Sequence, residues 1–238
     1  MPDFTELWPG GPLFAQAENQ RLSTDSVLLA DFVPLRHARR GIDLGCASGA
    51  VALLLLARER TLDMTGLELE ENAAALARAN LERNGLTERA RIVTGDIRAH
   101  RELFRAGSFD LAVANPPYFS VGSGALSPDP ARASARSETD CSLEELCRAA
   151  AWLLQTGGSF CLVHRPERLS ELLCAMTAQA LEPKRLRLVG KTFDSPPSLV
   201  LVEGRRGGRP GLRIEPPLLL TEPDGSESAE LRRIYRRL

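Results

Sequence analysis

The sequence has almost no lysine, no long apolar run and no excess of charge of either sign. Only Lys184 and Lys191 are lysines, and 31 acidic residues offset the 30 basic ones to a net charge of −1. This balance excludes a uniformly basic nucleic-acid-binding protein, but not a local basic face. The longest apolar run, at 50–57, has eight residues, whereas a membrane-spanning helix needs about twenty. We therefore expect no membrane partner.

The cysteines lack the pattern of a disulfide framework or of a zinc site. Their number is odd, five, and no two are spaced as Cys-x-x-Cys. Most of them stand in apolar or helical stretches, which is typical of reduced thiols in a cytoplasmic protein. The first residues also lack the basic start and apolar core of a signal peptide. We expect a cytoplasmic protein that needs no metal, and the pattern leaves its oligomeric state open.

Length and composition fit one globular domain, since hydrophobic residues make up 43% and charged residues 26% of the 238 positions. Strand-like and helix-like segments alternate about five times from residue 39 onwards. This alternation predicts an α/β fold with a mainly parallel sheet and helices on both faces. We expect a single domain over 1–238, in which 1–40 form an N-terminal helical cap and 203–220 a C-terminal hairpin extension.

Unusual residues follow the first three predicted strands of this sheet. The segment 43–49 reads Asp-Leu-Gly-Cys-Ala-Ser-Gly, and Glu68 and Asp96 follow the next two strands. In open α/β sheets, ligands bind beyond the carboxyl ends of the strands. Glycines let a ligand approach the backbone, a carboxylate such as Glu68 can accept both hydroxyls of a ribose, and Asp96 can accept from an adenine amino group. These residues predict a nucleoside site.

The spacing is not the Gly-x-Gly-x-x-Gly of nicotinamide enzymes, and Asp43 would repel a pyrophosphate but attract an ammonium group. The arrangement resembles the class I S-adenosylmethionine-dependent methyltransferases, although Ala47 stands where a central glycine is common. The resemblance implies S-adenosylmethionine as cofactor. The cofactor contacts that we predict are Thr24, Asp43, Gly45, Cys46, Gly49, Glu68, Leu69, Asp96, Ile97 and Asn115.

A second motif, Asn-Pro-Pro-Tyr at 115–118, directly follows the fourth predicted strand. An aromatic amine is a poor nucleophile because its lone pair is delocalised into the ring. The Asn115 side-chain oxygen and the Pro116 carbonyl can together hold both amino hydrogens and favour a pyramidal nitrogen. Prolines stiffen the loop, and Tyr118 can stack on a base. We predict Asn115, Pro116 and Tyr118 as catalytic residues and Pro117 and Tyr118 as substrate contacts.

This motif resembles that of methyltransferases acting on amino groups attached to planar systems, which include adenine, guanine in ribosomal RNA and glutamine in release factors. Tyr118 favours adenine or glutamine over guanine. Four flanking segments resemble one bacterial family, the tRNA1(Val) adenine-N6 methyltransferases, which modify the adenine 3′ to the anticodon. Those segments lie at 21–29, 135–138, 164–169 and 207–212.

The family resemblance implies a Rossmann-like fold with a seven-stranded mixed sheet, methyl transfer to the N6 amino group of an adenine, and tRNA as partner. Two alternatives stay open from the motif itself. They are a glutamine N5-methyltransferase acting on a protein and an enzyme acting on an amino group of ribosomal RNA.

Two basic segments are candidates for contact with RNA. Arg136 lies in a long Ser-, Gly- and Pro-rich loop at 119–140, which is long enough to close over a base. Arg205, Arg206 and Arg209 stand at the tip of the predicted C-terminal hairpin, where glycines would let guanidinium groups follow a phosphate backbone. We predict these four arginines as substrate contacts.

Overall fold

A twisted mixed sheet with helices on both faces forms the centre of the molecule, as the alternating pattern predicts. The structure is a computed structural model, and it describes residues 2–16, 22–116 and 141–236. The predicted site residues Pro117, Tyr118 and Arg136 lie outside the described residues. The strands are β1 (Thr5–Glu6), β2 (Leu13–Phe14), β3 (Arg40–Leu44), β4 (Asp63–Glu68), β5 (Ala90–Thr94), β6 (Phe109–Ala114), β7 (Leu154–His164), β8 (Leu181–Gly190), β9 (Leu199–Arg206), β10 (Arg213–Ile214) and β11 (Leu218–Leu219).

The helices connect these strands and cover the sheet. Short 3-10 turns at Ile97–Ala99 and Pro166–Arg168 precede two of the helices. The helices are α1 (Thr24–Phe32), α2 (Ala50–Arg58), α3 (Glu71–Arg83), α4 (His100–Leu103), α5 (Leu143–Leu153), α6 (Leu169–Ala178) and α7 (Ala229–Ile234).

The strand order of the large sheet is β10-β8-β9-β7-β6-β3-β4-β5, with β11 also paired to β8. Strands β3 to β7 are mutually parallel, and β9 runs antiparallel between β7 and β8. The chain moves outward from β3 through β4 to β5 and then returns to β6 on the other side of β3. The order of the strands therefore reverses between β3 and β6, which is where α/β sheets bind their ligands.

Seven long strands form the predicted seven-stranded sheet, and the two-residue strands β10 and β11 extend it to nine. The prediction of a hairpin over 203–220 is wrong. Strand β10 does not fold back on β9 but crosses to the outer edge of β8, where Arg213 pairs in parallel with Arg185. The short strand β10 thus exists, but its neighbour is β8 and not β9.

The N-terminal part, 1–40, is helical only in α1, so the predicted helical cap is incomplete. Strands β1 and β2 form a small antiparallel pair ahead of it. Two asparagines, Asn80 in α3 and Asn84 directly after it, hold this pair on the domain. Asn84 accepts from the Leu13 amide at 2.8 Å and donates to its carbonyl at 2.7 Å. The buried Asn80 bonds to both backbone groups of Ala15 and donates to the Ser48 carbonyl at 2.9 Å.

The core has two halves because side chains alternate across each strand. On β7, Cys161 and Val163 face the layer of α1, α2 and α7, whereas Phe160 and Leu162 face α5 and α6. The other central strands alternate in the same way, and their inward side chains are almost completely buried. Helix α2, apolar nearly all round, is buried from Ala50 to Leu56.

Side-chain caps set the ends of several helices. Ser23 caps α1 by accepting from the Ser26 amide, and Ser142 and Glu145 form a capping box at the start of α5. Gly85 follows α3 with a φ of 64°, the left-handed conformation that glycine adopts without strain.

All five cysteines are free. Cys46, Cys147 and Cys161 are buried, and burial raises the pKa of each thiol, to about 12 for Cys147. Cys141 is half-buried, and burial raises its pKa to about 12 as well. Cys174, on α6, is exposed.

No helix in the described part of the chain is long and apolar enough to cross a membrane. Within the same residues, no group of three or more His, Cys, Asp or Glu side chains is placed to hold a metal ion.

The junction made by Asn80 generates a stability prediction. Replacing Asn80 with Ala removes three hydrogen bonds and leaves backbone groups of Ala15 and Ser48 without their partner. We expect the free energy of unfolding to fall by about 2–4 kcal/mol, because each unsatisfied buried group costs about 1–3 kcal/mol. Urea unfolding measures the change. The exposed Glu82 on the same helix, changed to Ala, is the control, and an Asn80→Ala protein as stable as that control would contradict the assignment.

Candidate active site

The chemistry-bearing residues lie along the edge of the sheet where β3 to β7 end, called here the catalytic edge. Asp43 is the penultimate residue of β3, Glu68 is the last residue of β4, and Asn115 directly follows β6. These strands are adjacent and parallel. The predicted convergence of the two motifs is therefore present in the fold.

The loop after β3 is held in a compact left-handed form. Gly45 and Gly49 have φ values of 76° and 81°. Between them, Ala47 also has a positive φ, 48°, although it is not a glycine. This conformation costs an ordinary L-residue roughly 1–2 kcal/mol. A hydrogen bond from the Ala47 amide to Glu68 Oε2, at 2.8 Å, helps to offset that cost. The hydrogen bond to Glu68, at the end of β4, therefore stabilises an alanine at the position where glycine is common.

A cavity of about 150 Å³ opens between this loop, the start of α1 and the end of β6. Its walls combine an aspartate, three serines, an asparagine and the backbone of the glycine loop. The residues that line it are Leu22, Ser23, Ser26, Asp43, Gly45, Cys46, Ala47, Ser48, Ala50, Val51 and Asn115.

Asp43 is the charged group at the bottom of this cavity. Its side chain is 1% exposed, and burial raises its pKa to about 7, against the lowering effect of a hydrogen bond from the Ala52 amide. The nearby Glu68 carboxylate raises it further. Among the described residues, no hydrogen-bond partner reaches Asp43 Oδ2. A buried carboxylate oxygen of this kind suits a cationic ligand group, which would supply both charge and hydrogen bonds.

Asn115 is oriented by a serine that sequence reasoning missed. The Asn115 Nδ2 group donates to Ser26 Oγ at 3.0 Å, and Ser26 Oγ lies 3.2 Å from Ser23 Oγ. In this arrangement the amide nitrogen faces Ser26 and the amide oxygen lies on the other branch. Ser26 is buried and lines the cavity. In the sequence, Ser26 is marked only by its place in the first turn of α1, where serines commonly cap helices.

Glu68 and Leu69 lie beside the cavity rather than in its wall. The Glu68 carboxylate accepts from the Ala47 amide and, at 2.9 Å, from the Glu70 amide. Each oxygen keeps a second lone pair with which a ribose hydroxyl could bond. Leu69 is 46% exposed at the end of β4. The structure thus gives Glu68 a further role, since it holds the glycine loop in shape.

Asp96 and Ile97 follow β5 at the same edge. Both Asp96 oxygens accept from the Arg98 guanidinium, at 2.6 to 3.0 Å, and this pairing lowers the pKa of Asp96. Arg98 therefore shares the carboxylate that we expect to bind an adenine amino group. Ile97 is close to the loop, since its Cδ1 would lie 4.0 Å from a Cβ on Gly45.

Thr24 does not line the cavity, although it is a predicted cofactor contact. Its hydroxyl accepts from the Tyr235 hydroxyl at 3.0 Å, which links the start of α1 to the segment after α7. The cavity-facing hydroxyls of this region are instead those of Ser23 and Ser26.

The three predicted RNA-contacting arginines lie far from Asn115. Strand β9 begins at the catalytic edge and runs away from it, so that Arg205 pairs with Ser159 in the middle of β7 and Arg206 pairs with Leu181 at the start of β8. Seven residues of extended strand separate Leu199 from Arg206, about 23 Å. Arg205, Arg206 and Arg209 are therefore at the opposite edge of the sheet, and any RNA contact there would be remote from the chemistry.

The strand order and the loop after β3 are those of the class I methyltransferase fold. A predicted O-methyltransferase from Agrobacterium tumefaciens aligns with a TM-score of 0.73 and 22% identity over 90% of this chain and 96% of that one. A geranyl diphosphate C-methyltransferase from Streptomyces coelicolor A3(2), solved with S-adenosyl-L-homocysteine, aligns with a TM-score of 0.57 and 14% identity over 76% of each chain. At these identities the likeness shows the fold alone.

Sequence relatives identify the family. Residues 14–180 match the methyltransferase small domain family. A tRNA1(Val) (adenine(37)-N6)-methyltransferase from Tolumonas auensis is 33% identical over 211 residues, which are 88% of this chain and 86% of that protein. The chain therefore belongs to the methyltransferase small domain family and, within it, to the group that contains the tRNA1(Val) (adenine(37)-N6)-methyltransferases. The predicted resemblance is confirmed.

The burial of Asp43 predicts a pH dependence of the ligand-free protein. Its pKa is about 7 in the fold against an ordinary 3.8, so between these values the folded state keeps a proton that the unfolded state has lost. We expect this group to lower the free energy of unfolding by about 1.4 kcal/mol per pH unit as pH rises through that window. Asp43→Asn is neutral and should remove the decline.

Urea unfolding at pH 5, 6, 7 and 8 measures this effect. The Asp43→Asn protein is expected to be more stable than the parent at pH 8 and to differ least at pH 5. Asp63→Asn, at the exposed start of β4, is the matched control. Equal pH profiles for Asp43→Asn and the parent would contradict the role of burial.

Proposed function

We propose that this protein transfers a methyl group from S-adenosylmethionine to the exocyclic N6 amino group of an adenine in tRNA. The observation that carries the proposal is the position of Asn115. Its amide is fixed by Ser26 in the wall of a cavity that also holds the buried carboxylate of Asp43.

The residues of the catalytic edge fit S-adenosylmethionine. Asp43 offers a buried oxygen, unpartnered among the described residues, to the ammonium of the methionine moiety, and the left-handed loop from Gly45 to Gly49 keeps the backbone open to approach. Glu68 and the exposed Leu69 lie further along the same edge, where a ribose and an adenine would extend. When bound, the cofactor supplies a methyl group activated by a positively charged sulfur.

Asn115 and the Pro116 carbonyl prepare the amine that receives the methyl group. Because Asn115 Nδ2 donates to Ser26, the amide presents its oxygen on the other branch, where it can accept from an amino hydrogen of the substrate. A second acceptor at Pro116 would hold the other hydrogen. Both bonds strengthen as the nitrogen becomes pyramidal, so they stabilise the transition state more than the ground state. No strong base is required, since the proton leaves a cationic product.

The substrate follows from the chemistry of the motif together with the relatives. The Tolumonas auensis relative is named for adenine 37 of tRNA1(Val), a base beside the anticodon. An unpaired or flipped-out base can expose its amino group to a pocket of this kind, whereas a stacked, paired base cannot. We therefore propose tRNA as the partner and the cytoplasm as the location of the enzyme.

Substitution of Asn115 tests the proposal directly. Asn115→Ala is expected to bind S-adenosylmethionine as the parent does but to lose on the order of 100-fold or more in kcat, by analogy with removal of one transition-state hydrogen bond. Calorimetry measures the cofactor affinity, and transfer of labelled methyl groups to bulk tRNA measures kcat. An Asn115→Ala enzyme with unchanged kcat and a raised KM would mean that Asn115 only positions the substrate.

The labelled product identifies the substrate class. Digestion of the tRNA to nucleosides is expected to yield N6-methyladenosine. Label found instead in ribosomal RNA, or in protein as N5-methylglutamine, would overturn the assignment in favour of one of the two alternative enzymes.

Variants of two hydroxyl residues on α1 test which of them belongs to the site: Ser26, which lines the cavity, or Thr24, which was predicted from the sequence. Ser26→Ala removes the hydroxyl that orients Asn115 and is expected to lower kcat about 2- to 10-fold, the equivalent of one ordinary hydrogen bond. Thr24→Val removes a hydroxyl on the same helix that bonds to Tyr235 outside the cavity, and kcat should stay near that of the parent. The opposite ranking would restore Thr24 as the site residue.

A further inference from the structure

One aromatic side chain stands out in solvent at the catalytic edge. Phe193 is 80% exposed, the largest fraction among the exposed large hydrophobic residues of the described part of the chain. It lies in the turn 191–198 that joins β8 to β9, called here the Phe193 turn. Phenylalanine is normally stabilised by burial. The exposure of this ring to solvent therefore suggests a function in binding.

The sheet places the Phe193 turn on the substrate side of Asn115. Val189 pairs with Leu199 and His164 pairs with Val200, so the turn and the end of β7 share the catalytic edge. The order β8-β9-β7-β6-β3 puts the turn three strand spacings from β6, about 14 Å. The cavity that fits the cofactor lies on the other side of Asn115, towards β3. A ligand extending from Asn115 away from the cofactor therefore runs along β7 and β9 towards Phe193.

The turn is built to hold its shape. Ser195 Oγ accepts from the Thr192 amide and donates to the Thr192 carbonyl, both at 2.8 Å. The Ser198 amide bonds to the Val189 carbonyl at 2.8 Å and closes the base of the turn. Outside the turn, Thr221 donates to the Lys191 carbonyl from both its amide and its hydroxyl. The ring of Phe193 is thus presented on a fixed backbone, which lowers the entropic cost of binding.

The Phe193 turn holds charged residues as well as two prolines, Pro196 and Pro197. Lys191 is exposed two residues before Phe193, and Asp194 is exposed directly after it. Arg165, which follows β7, donates to the Ser198 carbonyl at the base of the turn, at 3.2 Å. One exposed ring next to charged residues is smaller than the contiguous apolar patch of a protein interface. An exposed aromatic side chain on a segment that also carries basic residues is instead the usual platform for an unpaired nucleic-acid base.

We infer that Phe193 stacks on an unpaired base of the substrate RNA that flanks the target adenine, with Lys191 and Arg165 beside the neighbouring phosphates. The inference rests on the proposed function, since it takes the substrate to be an RNA loop. The target base itself must reach Asn115, and one purine at Asn115 does not also span the distance to β8. The Phe193 turn is then a second point of contact, which sets the direction in which the loop crosses the catalytic edge.

An anticodon stem-loop RNA with 2-aminopurine on one or the other side of the target adenine tests the stacking, because stacking quenches the fluorescence of this base. We expect the parent protein to quench one of the two probes and Phe193→Ala to lose most of that quenching. The KM for the stem-loop should rise at least about fivefold in Phe193→Ala, as one stacked base is worth about 1–3 kcal/mol. The S-adenosylmethionine affinity and the kcat at saturating RNA should change little.

Further variants separate stacking from simple hydrophobic contact. Phe193→Tyr and Phe193→Trp should keep the quenching and the low KM, whereas Phe193→Leu, apolar but without a ring, should behave as Phe193→Ala. Ile214→Ala is the matched control, since Ile214 is 67% exposed on β10, away from the catalytic edge. It should leave both readouts at the parent values.

Several results would overturn the inference. They are an unchanged KM and quenching in Phe193→Ala, parent-like behaviour of Phe193→Leu, or a change of oligomeric state in Phe193→Ala, which would indicate contact between copies of the chain. A parent protein that methylates the stem-loop but quenches neither probe would overturn the stacking and leave the proposed function standing. A parent protein that quenches a probe but transfers no methyl group to tRNA would support the stacking and overturn the proposed function.

Discussion

The position of β3 between two parallel neighbours is the constraint on which the site depends. Ile42 pairs with Thr65 on β4 and with Ala112 on β6, so the three strands end at one level. That register alone brings a carboxylate from β3, a carboxylate from β4 and an amide from β6 to one edge. A shift of one residue would turn each side chain to the opposite face and would carry Asp43 from the layer of α1 and α2 to that of α5 and α6.

The same register brings the carboxylates of Asp43 and Glu68 close together at a place where Asp43 is excluded from water. Asp43 is buried and close enough to the Glu68 carboxylate for that charge to raise the pKa of Asp43, yet the fold treats the two acids differently. Glu68 accepts from two backbone amides and shapes the loop, whereas one oxygen of the cavity-lining Asp43 has no hydrogen-bond partner among the described residues. The fold thus stabilises the Glu68 carboxylate with its own amides, and it leaves one buried oxygen of Asp43 without a partner among the described residues.

Much of this arrangement can be read from the sequence, because it depends on short-range patterns. Alternating strands and helices predict the sheet, and residues that follow strands in a parallel sheet must share an edge, which brings Asp43 and Asn115 together. The predictions that fail concern pairings between residues far apart in the sequence. The sequence predicts that the arginines at 205–209 lie at a hairpin tip that contacts the substrate, but β9 is antiparallel and takes them to the opposite edge of the sheet from Asn115. Ser26 was indistinguishable from a capping residue because its partner is 89 positions away.

The distribution of the five thiols also determines how the protein can be studied in solution. Thiol-reactive probes attack the thiolate, and burial raises the pKa of Cys46, Cys141, Cys147 and Cys161. Cys174, exposed on α6, lies on the helical layer opposite that of α1 and α2. A maleimide fluorophore used at neutral pH should therefore attach there without any cysteine being removed. The native chain would then carry a single reporter whose attachment leaves the catalytic edge untouched.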